Sequence, residues 1–198
     1  MNVSRKYPQS RLRRTRFTSA IRNLVAENNL TVNDLIQPIF VKEGLDGTES
    51  INSLPGINRY GLNALDEEIE KIQDCKIQAV AIFPVIDPSK KDELGTESLN
   101  EDNLVCEAIR QIKQNSDLAI IADVALDPYT SHGQDGILDK TGYVDNDKSL
   151  NILSEQALTL AKAGADMIAP SDMMDGRIAK IRDSLEINKF FNTIILSY

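Results

Sequence analysis

The sequence predicts an α/β fold in which a parallel sheet carries helices on its outside, and three observations support it. Strand-like segments at 79–86, 119–124 and 167–169 read as unbroken apolar runs, as strands buried on both faces do. Amphipathic segments with apolar residues three or four apart separate those runs. No glycine-rich phosphate loop follows the first strand, which sets a dinucleotide-binding fold aside. About five strands and four intervening helices suit either a flavodoxin-like sheet or part of a (β/α)8 barrel.

Taken in order, Phe17, Ile21, Leu24 and Val25 have the spacing of a short helix. Residues 35–41 read as a strand, although Pro38 removes a ladder donor and is awkward in a central position. Residues 44–61 are rich in turn formers. Asn63 is placed to cap a helix whose apolar face is Leu65, Ile69, Ile72 and Cys75. Residues 79–86 make a buried-type strand closed by Asp87 and Pro88. Leu104, Val105, Ala108, Ile109 and Ile112 share one helical face. The strand at 119–124 comes next, then a long loop. Ile152, Leu153, Gln156, Ala157 and Leu160 repeat the helical spacing, and Gly164 stops it. A short strand at 167–169 runs into Pro170, Ser171 and Asp172. Ile178, Ile181 and Leu185 mark a further helix, and residues 193–196 a last strand.

Hydrophobic residues make up 41% and charged residues 26% of the 198, an ordinary globular balance that allows one domain with a sizeable core or a piece of something larger. No apolar run approaches the 18 or so residues of a membrane span, and the start lacks a basic-then-apolar secretory signal. Cys75 and Cys106 therefore read as reduced thiols of a cytoplasmic protein, with a disulfide or a metal pair as the alternative. Charge is distributed unevenly. Residues 1–22 hold seven basic side chains and no acidic one, whereas the rest holds 15 basic and 30 acidic, a net of −15. Nucleic-acid binding, an organelle transit peptide and docking on an acidic surface compete to explain the arm. No aromatic residues interleave the arginines as base-stacking partners would, and the acidic body repels phosphate. Docking onto another copy of the chain is the favoured reading.

The densest chemistry lies at 123–136, Asp-Val-Ala-Leu-Asp-Pro-Tyr-Thr-Ser-His-Gly-Gln-Asp-Gly. An apolar strand ends there in Asp123 and Asp127, and the glycine-punctuated loop beyond holds Tyr129, the sole histidine His132, and Asp135. On a barrel reading, Asp123 and Asp127, Ser171 and Asp172, and Ser197 and Tyr198 all stand at strand carboxyl ends, where such barrels build active sites. Asp172 and Asp175 have a competing role as caps of the helix starting near Gly176. Tyr129 and His132 are candidates for a loop or lid, with a surface histidine as the alternative for His132. Asp127 and Asp135 together could hold a hard cation such as Mg2+, or could instead order the loop by hydrogen bonds. Zinc would want cysteine or histidine there, and only His132 is available.

Four stretches together resemble the 5-aminolevulinate dehydratase (porphobilinogen synthase) family. They are Arg-Leu-Arg-Arg-Thr at 11–15, Phe-Pro-Val-Ile-Asp at 83–87, the loop at 123–136, and Ala-Pro-Ser-Asp-Met-Met-Asp-Gly-Arg at 169–177. The resemblance implies a (β/α)8 TIM barrel, here represented by the N-terminal arm and about the first five strands. It divides the chain into a basic arm at 1–30 for oligomerisation, usually in a homo-octamer, and the N-terminal part of the barrel at 31–198. The implied reaction condenses two 5-aminolevulinate molecules to porphobilinogen with loss of two waters, early in tetrapyrrole (haem) synthesis, through lysine Schiff bases.

The resemblance also bears on individual residues. Asp123 matches an active-site aspartate, and Ser171 and Asp172 match residues lining the substrate pocket. Zinc-dependent members carry three cysteines where this chain has Ala125, Asp127 and Asp135. No catalytic zinc is therefore expected, and Mg2+ would act as a stimulating ion elsewhere. The first Schiff-base lysine lies three residues past the tyrosine of a Ser-Tyr pair matching Ser197-Tyr198, and the second on a later strand; none of the lysines present matches either. The expectation is a fragment of an active dehydratase, inactive alone, with an inert remnant or an arm-mediated assembly subunit as the alternative. A half-barrel with an unpaired strand edge is expected to be poorly soluble.

Overall fold

A computed structural model describes residues 6–197; Tyr198 of the Ser197-Tyr198 pair and Arg5 of the basic arm lie outside the described residues. The chain divides into two compact units, Met1–Asp34 and Leu35–Tyr198. In the first, a 3-10 turn at Leu12–Arg16 precedes α1 (Ser19–Leu24), and the Thr18 hydroxyl caps α1 by accepting from the Ile21 amide at 3.2 Å. Phe17 and Val25 flank this helix rather than joining it. Neither element buries a residue: Leu12, Phe17, Leu24 and Leu30 are 71–85% exposed.

In the second unit a seven-stranded, mostly parallel sheet comprises β1 (Ile36–Lys42), β2 (Thr48–Ser50), β3 (Asn58–Tyr60), β4 (Ala79–Val85), β5 (Ala119–Val124), β6 (Met167–Pro170) and β7 (Ile194–Ile195). Its order is β2-β3-β1-β4-β5-β6-β7. From β1 through β4 to β7 all pairings are parallel and follow chain order without the reversal of a flavodoxin-like sheet, which removes that alternative. The connecting helices are α2 (Leu62–Asp74), α3 (Leu104–Asn115), α4 (Asn146–Ala163) and α5 (Arg177–Ile187).

Strand alternation sorts the side chains onto two faces. Ile39, Val41, Val80, Ile82, Ile120, Ala122, Val124 and Ile168 point to the helices and form the main core with Leu65, Ile69, Ile109, Ile112, Leu153 and Leu160. The opposite face holds a smaller cluster, Ala79, Ala81, Ile121 and Ala169, with Phe83, Met167 and Leu196 partly buried around it. Phe40 and Phe83 meet on that face with ring centroids 5.7 Å apart.

Several local expectations need correction. The turn-rich stretch at 44–61 contains β2 and β3, whose polar residues give no apolar alternation; Glu49 instead joins Lys42 and Arg59 at 2.5 and 2.8 Å. Pro38 is tolerated because β3 pairs with β1 only at Phe40 and Val41, leaving Pro38 a ladder partner on the β4 side alone. Asn63 does not cap α2, whose cap position is Gly61; its amide accepts from the Gly47 N–H at 3.1 Å and donates to Asp46. Cys75 ends α2 and is exposed, whereas Cys106 is buried in α3 with its thiol pushed up to about 11 by burial; both are free. Gly164 closes α4 at φ 112°, the left-handed stop expected of it.

Candidate active site

β5 is the apolar run Ala119–Val124, broken only by Asp123. Alternation puts Asp123 on the face of Ile121, away from the helices, and the register sets it opposite Ala169 of β6. One residue past β6, Ser171 donates its amide to the Val124 carbonyl at 3.3 Å and so stands at the same end of the sheet. Asp123 and Ser171 thus converge at adjacent strand carboxyl ends because both strands are short and in register.

Asp123 is partly buried, and its Oδ1 has no hydrogen-bond partner. Burial pushes its carboxyl up to about 6; the Ser171 hydroxyl beside it favours the ionised form, while Asp135, Asp127 and Asp172 oppose it. Asp172 is 2% exposed, and burial raises its carboxyl too. Its Oδ1 accepts from the Met174 amide at 2.7 Å, and its Oδ2 lies 3.6 Å from Arg177 Nε. The helix-cap roles offered for Asp172 and Asp175 are not what the structure builds: α5 is capped at Gly176 without a side-chain bond.

Asp135 raises the neighbouring Asp127 further, after burial, and Lys91 partly offsets this. Asp135 Oδ1 accepts the Leu126 amide at 2.6 Å, which closes the loop at its root. Asp135 thus orders the loop through one carboxylate oxygen. Among the described residues, no three histidine, cysteine, aspartate or glutamate side chains group to hold a metal ion. Ala125, the third of the positions matched to zinc cysteines, is 3% exposed.

The lid assignment of Tyr129 is corrected. The ring is 2% exposed within the main core, burial drives its hydroxyl well above the usual range, and its amide donates to Leu126 O at 2.9 Å. It anchors the loop rather than covering the site. His132 is half-buried, with Nδ1 accepting the Gln134 amide at 3.1 Å and Nε2 meeting the Glu93 carbonyl at 3.2 Å. Nδ1 accepting makes Nε2 the protonated nitrogen. Beside it runs a cleft of 440 Å³ lined by Glu93, Leu94, His132, Ile137 and Lys140, among others.

The sequence placed Gln156 on the helix face without a polar role and gave no sign of Ser149. Gln156, 1% exposed on α4, donates to the Ala125 carbonyl at 3.0 Å, and buried Ser149 accepts the Ile137 amide at 2.8 Å. A glutamine on an otherwise apolar helix face was the available signal for Gln156. Among the described residues, no helix is long and apolar enough to cross a membrane.

A parallel sheet that gathers acids and hydroxyls beyond its carboxyl ends is the arrangement of α/β enzymes. The particular kin follow from comparison. The sequence model of the delta-aminolevulinic acid dehydratase family matches residues 9–198, and the chain belongs to that family. It is 44% identical over 193 residues to the dehydratase of Methanothermus sociabilis, covering 98% of this chain and 59% of that one. With the Chlamydia pneumoniae dehydratase it shares 47% over 189 residues, covering 95% and 57%. A crystal structure of the Toxoplasma gondii ME49 enzyme in complex with the reaction product porphobilinogen superposes with a TM-score of 0.91 at 42% identity, covering 96% of this chain and 54% of that one. The chain thus spans a little over half the length of these relatives.

Proposed function

We propose that this chain carries one wall of a porphobilinogen synthase site, in which the whole protein condenses two 5-aminolevulinate molecules to porphobilinogen with loss of two waters. The observation that carries this reading is the convergence of Asp123, Ser171 and Asp172 beyond β5 and β6, in a chain 42% identical to a solved dehydratase holding porphobilinogen. The unpartnered Asp123 Oδ1 suits a substrate ammonium, which would satisfy its charge and its hydrogen-bonding capacity together, whereas Asp172 Oδ2 already faces Arg177 Nε. Asp123, titrating near 6, can hold or release a proton at Oδ1 close to neutral pH. No step is assigned to a metal, and the residues at Ala125, Asp127 and Asp135 support chemistry without catalytic zinc; any stimulating Mg2+ would bind elsewhere. Imine formation falls to lysines on strands following the Ser197-Tyr198 pair.

The same reading takes residues 31–198 as the N-terminal part of a (β/α)8 barrel, supported by the sequential strand order. It takes residues 1–30 as an arm docking on another copy, in a cytoplasmic homo-octamer. Exposed Leu12, Phe17 and Leu24 amid the arginines support that role.

Titrating the labelled chain with 5-aminolevulinate while recording NMR spectra tests the site. Shifts should concentrate at Asp123 and Ser171 and vanish in Asp123→Asn; unchanged spectra would refute it. Borohydride reduction with 5-aminolevulinate followed by mass spectrometry should leave this chain without an adduct, and a stable adduct would refute the assignment of the lysines.

A further inference from the structure

Both loops of the site are fastened to a single place, the first turn of α4. On one side the Asp145 amide donates to Ile137 O at 2.7 Å, and the Ser149 hydroxyl accepts from Ile137 N at 2.8 Å while donating to Asp145 O at 2.7 Å. These bonds fix the end of the loop that carries Asp127 and Asp135. On the other side Asn146 reaches the turn that carries Asp172. Its Oδ1 accepts from the Asp175 amide at 2.7 Å and its Nδ2 donates to the Asp175 carbonyl at 3.3 Å. Asparagine suits this task because one planar amide offers a donor and an acceptor side by side, matching both backbone groups of one residue. The two loops also touch at Gly136, where an added Cβ would lie 2.9 Å from Ser149 Oγ and 3.2 Å from Met174 Cε.

We propose that Asn146 is a positioning residue: by gripping both backbone polar groups of Asp175 it sets how closely the Asp172 turn approaches Asp123 and Asp135. Its place on α4 matters, because the same turn of helix holds the opposing loop. A rigid element thus fixes the separation of two loops that share few direct bonds. This inference rests on the reading of Asp123 and Asp172 as site residues, but its test does not use substrate.

The experiment compares the wild-type chain with Asn146→Ala, Asn146→Asp and Asn103→Ala by NMR. Asn103 caps α3, accepting from the Cys106 amide at 2.9 Å, and serves as a control that weakens a helix bearing no loop of the site. In Asn146→Ala the Asp175 amide should exchange roughly three- to ten-fold faster, the range of one lost hydrogen bond. The carboxyl titration of Asp123 should shift from its wild-type position as the turn carrying Ser171 and Asp172 moves. Asn146→Asp keeps the acceptor for the Asp175 amide but sets an oxygen against the Asp175 carbonyl, so it should lose part of the grip and speed Asp175 exchange less than alanine does. It carries the test if the alanine variant does not fold. Asn103→Ala should move neither readout. An unchanged Asp123 titration or unchanged Asp175 exchange in Asn146→Ala, or wild-type behaviour of both in Asn146→Asp, would overturn the proposal. Absence of 5-aminolevulinate shifts in the wild type would sink the functional reading alone and leave this result standing.

Discussion

Asp172 Oδ2 and Arg177 Nε stand 3.6 Å apart, close enough to attract and too far to hydrogen-bond, and both atoms are buried without a hydrogen-bond partner. The pair joins the turn after β6 to the first residue of α5, while Asp172 Oδ1 ties the same turn internally through Met174 N. The two oxygens of one carboxylate therefore have separable tasks. Asp172→Asn keeps an acceptor for Met174 and removes a charge that burial already disfavours, so its unfolding free energy at neutral pH should stay within about 1 kcal/mol of wild type. Asp172→Ala leaves the Met174 amide unpaired and should cost about 1–3 kcal/mol. Urea denaturation of both variants distinguishes the tasks; equal losses would show that the charge dominates.

The pH dependence of stability should carry the mark of Asp123. Its folded carboxyl titrates near 6, above the ordinary 3.8, so the folded state favours the protonated form. That stabilisation is fully present below 3.8 and is lost as pH rises through about 6, amounting to at most about 3 kcal/mol. Asp123→Asn should therefore gain stability relative to wild type between pH 4 and pH 7. Chemical denaturation across that range would expose the difference, and parallel curves would contradict it.

Gly136 is held where its loop meets α4, and a Cβ there would come within 2.5 Å of Val144 Cγ1 and 2.9 Å of Ser149 Oγ. Gly136→Ala should cost about 1–3 kcal/mol through overpacking, and it should loosen the Ile137–Ser149 bond. Thermal melting gives the first value, and exchange of the Ile137 amide gives the second.

Lys76 follows the end of α2 with φ 62°, a left-handed conformation that glycine adopts without a Cβ penalty. Lys76→Gly should raise stability by about 0.5–1 kcal/mol, read from the denaturation midpoint. A loss would mean that the lysine side chain contributes more than its backbone costs.

The membership of individual elements was legible where apolar pattern and punctuation agree. β5 occupies the predicted residues because its apolar run is bounded by polar neighbours, and α4 stops at Gly164 as its left-handed cap requires. Asp123 was visible as a carboxylate interrupting an apolar strand. The short polar strands β2 and β3 were not visible, since ion pairs through Glu49 rather than apolar alternation hold them. Tyr129 misled for a related reason: a tyrosine in a polar loop looks solvent-facing until its ring is seen in the core.

Local chemistry along the chain was enough to predict the parallel α/β class, the uneven charge and the acids beyond β5 and β6, because burial periodicity and charge are properties of residues read in order. The spatial arrangement had to come from folding. It tied Asp135 to the Leu126 amide, buried Tyr129, and brought Asn146 to Asp175, 29 positions away. Bonds between segments distant in sequence depend on how strands and helices pack, and packing is a property of the whole chain rather than of any stretch of it.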